Sequence, residues 1–257
     1  MRLGGERALI TGSTAGIGAA IAVRFAAEGA AVCITGRDEA RGASVVAQIV
    51  ADGGDAAFVP VTLDDHGACD TLVAAATDAL GGISVLVNNA AAAGHTDGPI
   101  ENVSDEAWAH ALLLNATVPF QLCRAAIPHM LSHGHGAIVN ISTRQAERAS
   151  KGFTAYIASK SAMNGLTRAI AVDYAEHNIR CNTISPGYVV NERRDANLDD
   201  EPERRARYAA MHLTRLGAAD DVALAAVYLA SRESEFVTGI NLQLDGGSSI
   251  ARGVVLG

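Results

Sequence analysis

The chain alternates between two kinds of segment. Short apolar runs rich in β-branched residues occur at 7–11, 31–35, 56–61, 84–87, 137–142, 179–184 and 240–244. Stretches with helical patterning lie between them, among them 17–28, 66–80, 118–132, 154–176 and 219–231. Strand-then-helix alternation restricts the fold severely. Parallel neighbours in a sheet can be joined only by a crossover, and the crossover helices then cover both faces. The expectation is an α/β fold: a doubly wound, seven-stranded parallel sheet with helices on both faces. At 257 residues, 49% of them apolar, the chain can bury one large core. It contains no linker, internal repeat or low-complexity stretch, so residues 1–257 read as a single domain.

One region breaks the rhythm. Between the sixth and seventh runs, residues 191–215 read NERRDANLDDEPERRARYAAMHLTR, dense in charge and poor in β-branched residues. The segment is too long for an ordinary connection. It is either a solvated pair of surface helices or a lid over a ligand site, and its position after the end of a strand favours the lid.

Charge and cysteine use exclude several function classes. The formal net charge is −8, with the acidic residues spread along the chain, so nothing gathers phosphates over a broad face. Nucleic-acid and membrane-surface partners are not expected. Cys33, Cys69, Cys123 and Cys181 lack metal-ligand or CxxC spacing and sit in or beside apolar segments, as buried thiols of a reducing compartment do. The opening residues MRLGGERALITG have no signal-peptide layout, and no apolar stretch is long enough to span a bilayer. The reading is a cytoplasmic protein. His129, His133 and His135 close a helix, where the dipole favours them without a metal, and no carboxylate lies close by in sequence, so no metal site is expected.

The first strand runs into TGSTAGIG, residues 11–18, and then into a helix. Gly12, Gly16 and Gly18 permit a tight turn there and let backbone N–H groups approach an anion at the helix N-terminus. In this position the motif points to a dinucleotide pyrophosphate. After the second strand, Gly36 stands where an acid would read the ribose hydroxyls of NAD, and Arg37 follows it. A guanidinium suits a 2′-phosphate, although Asp38 and Glu39 are placed to neutralise it in part. The pattern favours NADP(H), with NAD(H) as the alternative.

Further motifs follow in order: VNNAA (87–91), Asn115 within LLLNATVPF, YIASK (156–160), IRCNTISPG (179–187) and TGINLQLDGG (238–247). Together with the glycine turn they resemble the short-chain dehydrogenase/reductase family over nearly the whole chain. The resemblance implies a Rossmann fold and nicotinamide-dependent oxidation of an alcohol or reduction of a carbonyl. It also implies a homotetramer. Carried over by motif, the cofactor would lie against Gly12, Ser13, Thr14, Gly16, Ile17, Gly18, Arg37, Thr62, Leu63, Asn88, Ala90, Asn115, Tyr156, Lys160, Pro186, Gly187, Val189 and Asn191. The catalytic residues would be Asn115, Thr143, Tyr156 and Lys160. Four positions depart from the usual pattern. Ala91 replaces the glycine of NNAG, Thr62 an acid or amide that reaches the adenine, and Asn191 a threonine that bonds the carboxamide. The fourth is Thr143, considered below.

Tyr156 and Lys160 are four residues apart in a helical stretch and share a face. A phenol with a pKa of about 10 is a poor base, and a neighbouring ammonium favours its phenolate. Tyr156 could then exchange a proton with an alcohol oxygen while hydride moves to or from the nicotinamide. By resemblance, Lys160 would also hold the nicotinamide ribose, and Asn115 a water that relays protons. Enoyl reductases of the wider group space this tyrosine and lysine farther apart, so the four-residue spacing favours carbonyl chemistry. Two adjacent hydroxyls, Ser142 and Thr143, end the fifth run. Family members place the catalytic serine thirteen residues before the tyrosine, which is Thr143 here. Successive strand side chains point to opposite sides, so only one of the pair can face the substrate. The expectation is Thr143, with Ser142 the alternative if the loop shifts by one residue. His95, after the fourth strand, is either a substrate-side group or a solvated loop histidine.

The expected function is hydride transfer between NADP(H) and a secondary alcohol or ketone. A non-catalytic dinucleotide-binding regulator is the rival from another class.

Overall fold

Arg7–Ile10 forms β1, buried near the middle of the sheet in the computed structural model, which describes residues 1–63, 67–92, 97–190, 195 and 198–251. Helix α1 (Gly16–Ala27) leads to β2 (Ala31–Gly36), α2 (Glu39–Ala51) to β3 (Asp55–Pro60), and α3 (Ala68–Leu80) to β4 (Val85–Asn88). Helix α4 (Asp105–Leu112) passes through a π-helical turn, Leu113–Thr117, into α5 (Val118–His133) and then β5 (Gly136–Ile141). Helix α6 (Thr154–Asp173) precedes β6 (Ile179–Pro186); α7 (Pro202–Ala209) and α8 (Ala219–Ala230) precede β7 (Asn241–Leu244).

All seven strands pair in parallel, in the order β3-β2-β1-β4-β5-β6-β7. The chain builds outward from β1 to β3, then returns to lay β4 against the other side of β1. The connections therefore diverge above β1 and β4, and a crevice opens at their carboxyl ends. Ligands of open α/β sheets bind at such a point.

The strands read as apolar runs because both faces are covered. Ile10, Val32, Val85, Val139 and Ile184 pack with α1, α2 and α8 on one face. Leu9, Cys33, Leu86, Ile138 and Cys181 pack with α3, α5 and α6 on the other. All four cysteines are buried free thiols, and burial pushes those of Cys33 and Cys123 up to about 12. No helix among the described residues is long and apolar enough to cross a membrane. Nor do three potential metal ligands cluster among them; His135 instead faces Glu6 at 3.2 Å.

The alternation read from the sequence is the observed one, with strand ends shifted by one or two residues. The long helical stretch at 154–176 divides into α6 and a 3-10 turn, Ala175–His177. The expected start of α3 at His66 lies outside the described residues, as does part of 191–215. The described remainder of that segment holds a 3-10 turn, Leu198–Asp200, and a single α-helix, α7.

A buried polar chain runs through the α6 side of the sheet. Asn88 Nδ2 donates to Asn140 Oδ1 at 2.8 Å, and Asn140 Nδ2 donates to Thr167 Oγ1 at 2.8 Å. Thr167 and Thr183 share a further hydroxyl contact at 2.8 Å. Buried amides hold their positions only when satisfied, so this chain fixes α6 over β4, β5 and β6. Removing its centre strands its neighbours. Asn140→Ala should lower the free energy of unfolding in urea by about 1–3 kcal/mol for each group left without a partner.

Candidate active site

The glycine turn is built by close approach. Gly12 and Gly16 have φ of +63° and +57°, in the left-handed region that favours glycine. A Cβ on Gly18 would lie 2.4 Å from the Gly12 carbonyl oxygen, and one on Gly12 would lie 3.0 Å from Ala90 Cα. Helix α1 has no side-chain cap and no acidic residue in its first turn, which leaves its N-terminal N–H groups for a ligand. Thr14 and Ile17 are partly exposed on this turn. Ser13 is not. Its Oγ donates to the Ile10 carbonyl at 2.6 Å and accepts from Thr35 N–H at 2.9 Å, so its side chain staples β1 to β2 instead of facing a cofactor.

Asn89, which the sequence reading passed over, ties the turn to β4. Its Nδ2 donates to the carbonyls of Thr11 and Gly12 at 3.0 and 3.1 Å, and its N–H donates to Thr11 Oγ1 at 3.0 Å. Ala90 N–H donates to the same hydroxyl at 3.0 Å. The side chain of Asn88 is turned into the core polar chain, so a cofactor could be lined by its backbone.

Gly36 closes β2 beneath Thr14. A Cβ there would come within 2.8 Å of Thr14 Cγ2, so an acidic side chain cannot enter unless Thr14 moves. Arg37 is exposed. Its neighbour Asp38 caps α2 by accepting from Arg41 N–H at 3.1 Å and pairs with the Arg41 guanidinium at 3.0 Å. Asp38 is thus committed to α2 and Arg41 and does not neutralise Arg37. Thr62 is exposed and Leu63 buried just beyond β3.

The hydroxyl pair separates at the end of β5. Ser142 Oγ donates to the Lys160 carbonyl at 3.4 Å, on the same side as Asn140, and so faces α6. Thr143, buried on the next residue, accepts from Gln145 N–H at 3.3 Å in the turn that leaves the strand. Lys160 is 2% exposed, and its Nζ donates to the Ile141 carbonyl at 2.7 Å. Desolvation lowers its pKa to about 7. Tyr156 lies partly exposed one turn earlier on α6.

Asn115 is fully buried in the π turn. Its Oδ1 accepts from Ala92 N–H at 3.0 Å, and its Nδ2 donates to Ser159 Oγ at 3.0 Å. Ser159 Oγ in turn donates to the Tyr156 carbonyl at 2.9 Å. The chain leaving β4, the π turn and α6 are thereby joined beside Lys160. A π turn often marks a functional site because its extra residue redirects side chains.

Pro186 ends β6, Gly187 follows it, and Val189 pairs with Gly217. A Cβ on Gly187 would lie 2.8 Å from His212 Nε2 and 2.9 Å from Asp245 Cα. The ring of Tyr188 stacks on Tyr208 of α7 with centroids 4.1 Å apart, and its hydroxyl donates to Asp195 Oδ1 at 2.7 Å. Tyr188 N–H donates to His212 Nε2 at 3.0 Å. Asn191 and His95 lie outside the described residues.

The model of the family described as Enoyl-(Acyl carrier protein) reductase matches residues 12–249. The chain belongs to the short-chain dehydrogenase/reductase family. It is 37% identical over 249 residues to the 2,5-dichloro-2,5-cyclohexadiene-1,4-diol dehydrogenase of Sphingobium indicum, covering 97% of this chain and 98% of that one. It is 36% identical to 3beta-hydroxysteroid dehydrogenase 1 of Eggerthella lenta, covering 99% and 98%. Its fold superposes with a TM-score of 0.89 on a 3-oxoacyl (acyl-carrier-protein) reductase of Agrobacterium tumefaciens with NADP bound, at 32% identity over 95% of this chain and 94% of the other. The chain is an oxidoreductase of this family acting on CH–OH groups.

The depressed Lys160 pKa has a stability consequence. The unfolded chain holds this proton up to about pH 10.5 and the folded, ligand-free chain only to about 7. Between those values the unfolded state binds more protons, so the contribution of this group to stability rises with pH and is lost as pH falls through 7. The stability advantage of Lys160→Met over the parent should therefore be greatest near pH 7. It should shrink by up to about 1.4 kcal/mol per pH unit towards pH 10. A gap independent of pH would show that the ammonium is not desolvated.

Proposed function

We propose that the chain interconverts a secondary alcohol and its ketone with NADP(H), using Tyr156 as general acid/base. The observation that supports this is that Lys160 docks on the Ile141 carbonyl at the end of β5, two residues before Thr143, while Asn115 bonds the same helix at Ser159, one turn after Tyr156, beside an uncapped glycine turn. The turn fits a pyrophosphate: side chains are excluded from it and helix N–H groups are available. Gly36 and Arg37, which has no ion-pair partner among the described residues, fit a 2′-phosphate better than a ribose diol, since Thr14 fills the space an acid would need. Bound there, the cofactor would supply the hydride acceptor or donor.

The protein's own part is proton handling and orientation. Thr143 Oγ1 would donate to the substrate oxygen and stabilise the charge that grows on it. Tyr156 would take the alcohol proton, or return it in reduction. Lys160 and the phenolate stabilise each other: the ammonium lowers the phenol pKa, and the anion offsets the desolvation that otherwise discharges the lysine. Lys160 would also bond the nicotinamide ribose. A water near Asn115 would carry protons between Lys160 and solvent. Residues 191–215 act as the lid, closing on substrate through the Tyr188–Tyr208 stack. The protein works in the cytoplasm as a homotetramer. The two curated relatives described above are named for hydroxyls on six-membered rings, which favours a cyclic secondary alcohol as substrate.

A panel of cyclic and open-chain alcohols and ketones, assayed with both cofactors, tests this reading. Turnover of none, with cofactor still bound, would favour the regulator. Thr143→Val should lower kcat by roughly 10²–10³ while Ser142→Ala has little effect. The reverse ranking would make Ser142 the catalytic hydroxyl. Tyr156→Phe should abolish turnover and leave cofactor binding in place.

Cofactor choice has its own test. Combining Thr14→Ala, Gly36→Asp and Arg37→Ile should shift kcat/KM towards NADH by at least about tenfold, the worth of one charge-assisted phosphate pair. Without Thr14→Ala, the other two substitutions should weaken binding of both cofactors. A parent enzyme that prefers NADH would overturn the assignment.

A further inference from the structure

Helix α6 carries Tyr156 in its first turn, yet its own cap residue, Phe153, makes no side-chain hydrogen bond to the helix. The first N–H groups of a helix need acceptors from elsewhere. Here they come from Asp97, more than fifty residues earlier in sequence. Asp97 Oδ1 accepts from Ala155 N–H at 3.0 Å, and Oδ2 accepts from Tyr156 N–H at 2.8 Å. Oδ1 also accepts from Gly98 N–H at 2.9 Å, which fixes the carboxylate in its own loop. Thr154 Oγ1 returns a bond to the Gly98 carbonyl at 2.8 Å. The two segments are thus clamped by three hydrogen bonds, two of them donated by consecutive helical amides to the same carboxylate.

We propose that Asp97 is a positioning residue for Tyr156. It acts through the backbone: the residue that would exchange the proton is the one whose N–H the carboxylate holds. A carboxylate at a helix N-terminus is favoured by the dipole and by charge-assisted hydrogen bonding. The place where α6 begins determines where the phenol stands relative to Thr143 and Lys160. The other end of the same loop is also tied to this site, because Ala92 N–H bonds Asn115. The chain leaving β4 beside the glycine turn therefore reaches α6 directly at Asp97–Tyr156 and, through Asn115, at Ser159. The clamp sets the distance between the cofactor end of the site and the proton donor.

This inference rests on Tyr156 being the general acid/base. Asp97→Ala should lower kcat by about 10- to 100-fold, the cost of a misplacement on the scale of 1 Å. KM for substrate and the affinity for NADPH, read from quenching of Trp108 fluorescence, should stay unchanged. Asp97→Asn, which keeps an acceptor oxygen, should recover most of kcat. Apart from turnover, amide exchange at Ala155 and Tyr156 should accelerate in the Ala variant. A parent-like kcat in Asp97→Ala, measured well below its melting temperature, would reduce Asp97 to a stability cap and overturn the proposal. If Asp97→Ala does not fold, Thr154→Val removes the other half of the clamp; a lowered kcat with unchanged NADPH affinity supports the proposal, and an unchanged kcat overturns it. Tyr156→Phe keeps the two failures apart. If it retains turnover, the proposed function is wrong; if it is inactive while the clamp variants are not, only the role of Asp97 is wrong.

Discussion

The burial of one ammonium organises the half of the molecule built around α6. Lys160 is out of water and donates to the carbonyl of Ile141, so α6 has to lie flat against the end of β5. An unsupported charge at this depth would be expelled or discharged. The support is distributed along the helix: Ser142 reaches the carbonyl of Lys160, and Thr167 two turns on accepts from Asn140. Because strand side chains alternate, assigning Asn140 and Ser142 to this docking leaves Thr143 on the other side. The pleat alone puts the two adjacent hydroxyls on opposite sides.

The cofactor half depends on a different constraint, the absence of Cβ atoms. The turn after β1 presses against Ala90 and against its own helix so closely that side chains at Gly12 and Gly18 would collide with backbone. That contact brings the ends of β1 and β4 together at the crevice where the winding of the sheet reverses. Thr11 and Asn89 then lock the turn to β4. The two halves meet in the chain that leaves β4.

What was legible in the sequence was what is local or periodic. The β/α alternation is a pattern of single positions, and GxxxGxG and YxxxK are spacings within one element. The two-residue strand period says only that one of Ser142 and Thr143 can face the substrate; the choice of Thr143 comes from its spacing of thirteen residues before Tyr156, which the family resemblance supplies. What stayed hidden depends on contacts between distant segments. Asn89 looked like part of a motif, and nothing near it in sequence reveals Thr11 or Gly12 as its partners. Asp38 looked like the neutraliser of Arg37 because they are adjacent, but the first turn of α2 claims it. Ser13 belongs to the glycine motif and yet spends its hydroxyl on the strands. The exclusion of an acid at Gly36 comes from Thr14, which precedes it by twenty-two residues. Helix α4 was not marked at all: it is short, and the π turn at its end interrupts the repeat by which a helix is recognised.

That π turn also bears on how the chain can change in length. Leu113–Thr117 holds one residue more than an α-helix of the same rise requires. Deleting a residue there would restore ordinary pitch with the faces of α4 and α5 left in register, because the wide turn takes up its extra residue within one revolution. What would be lost is the bulge itself, and with it the placement of Asn115 against Ser159. Surface loops elsewhere in the fold can absorb insertions and deletions; this turn cannot do so without moving Asn115.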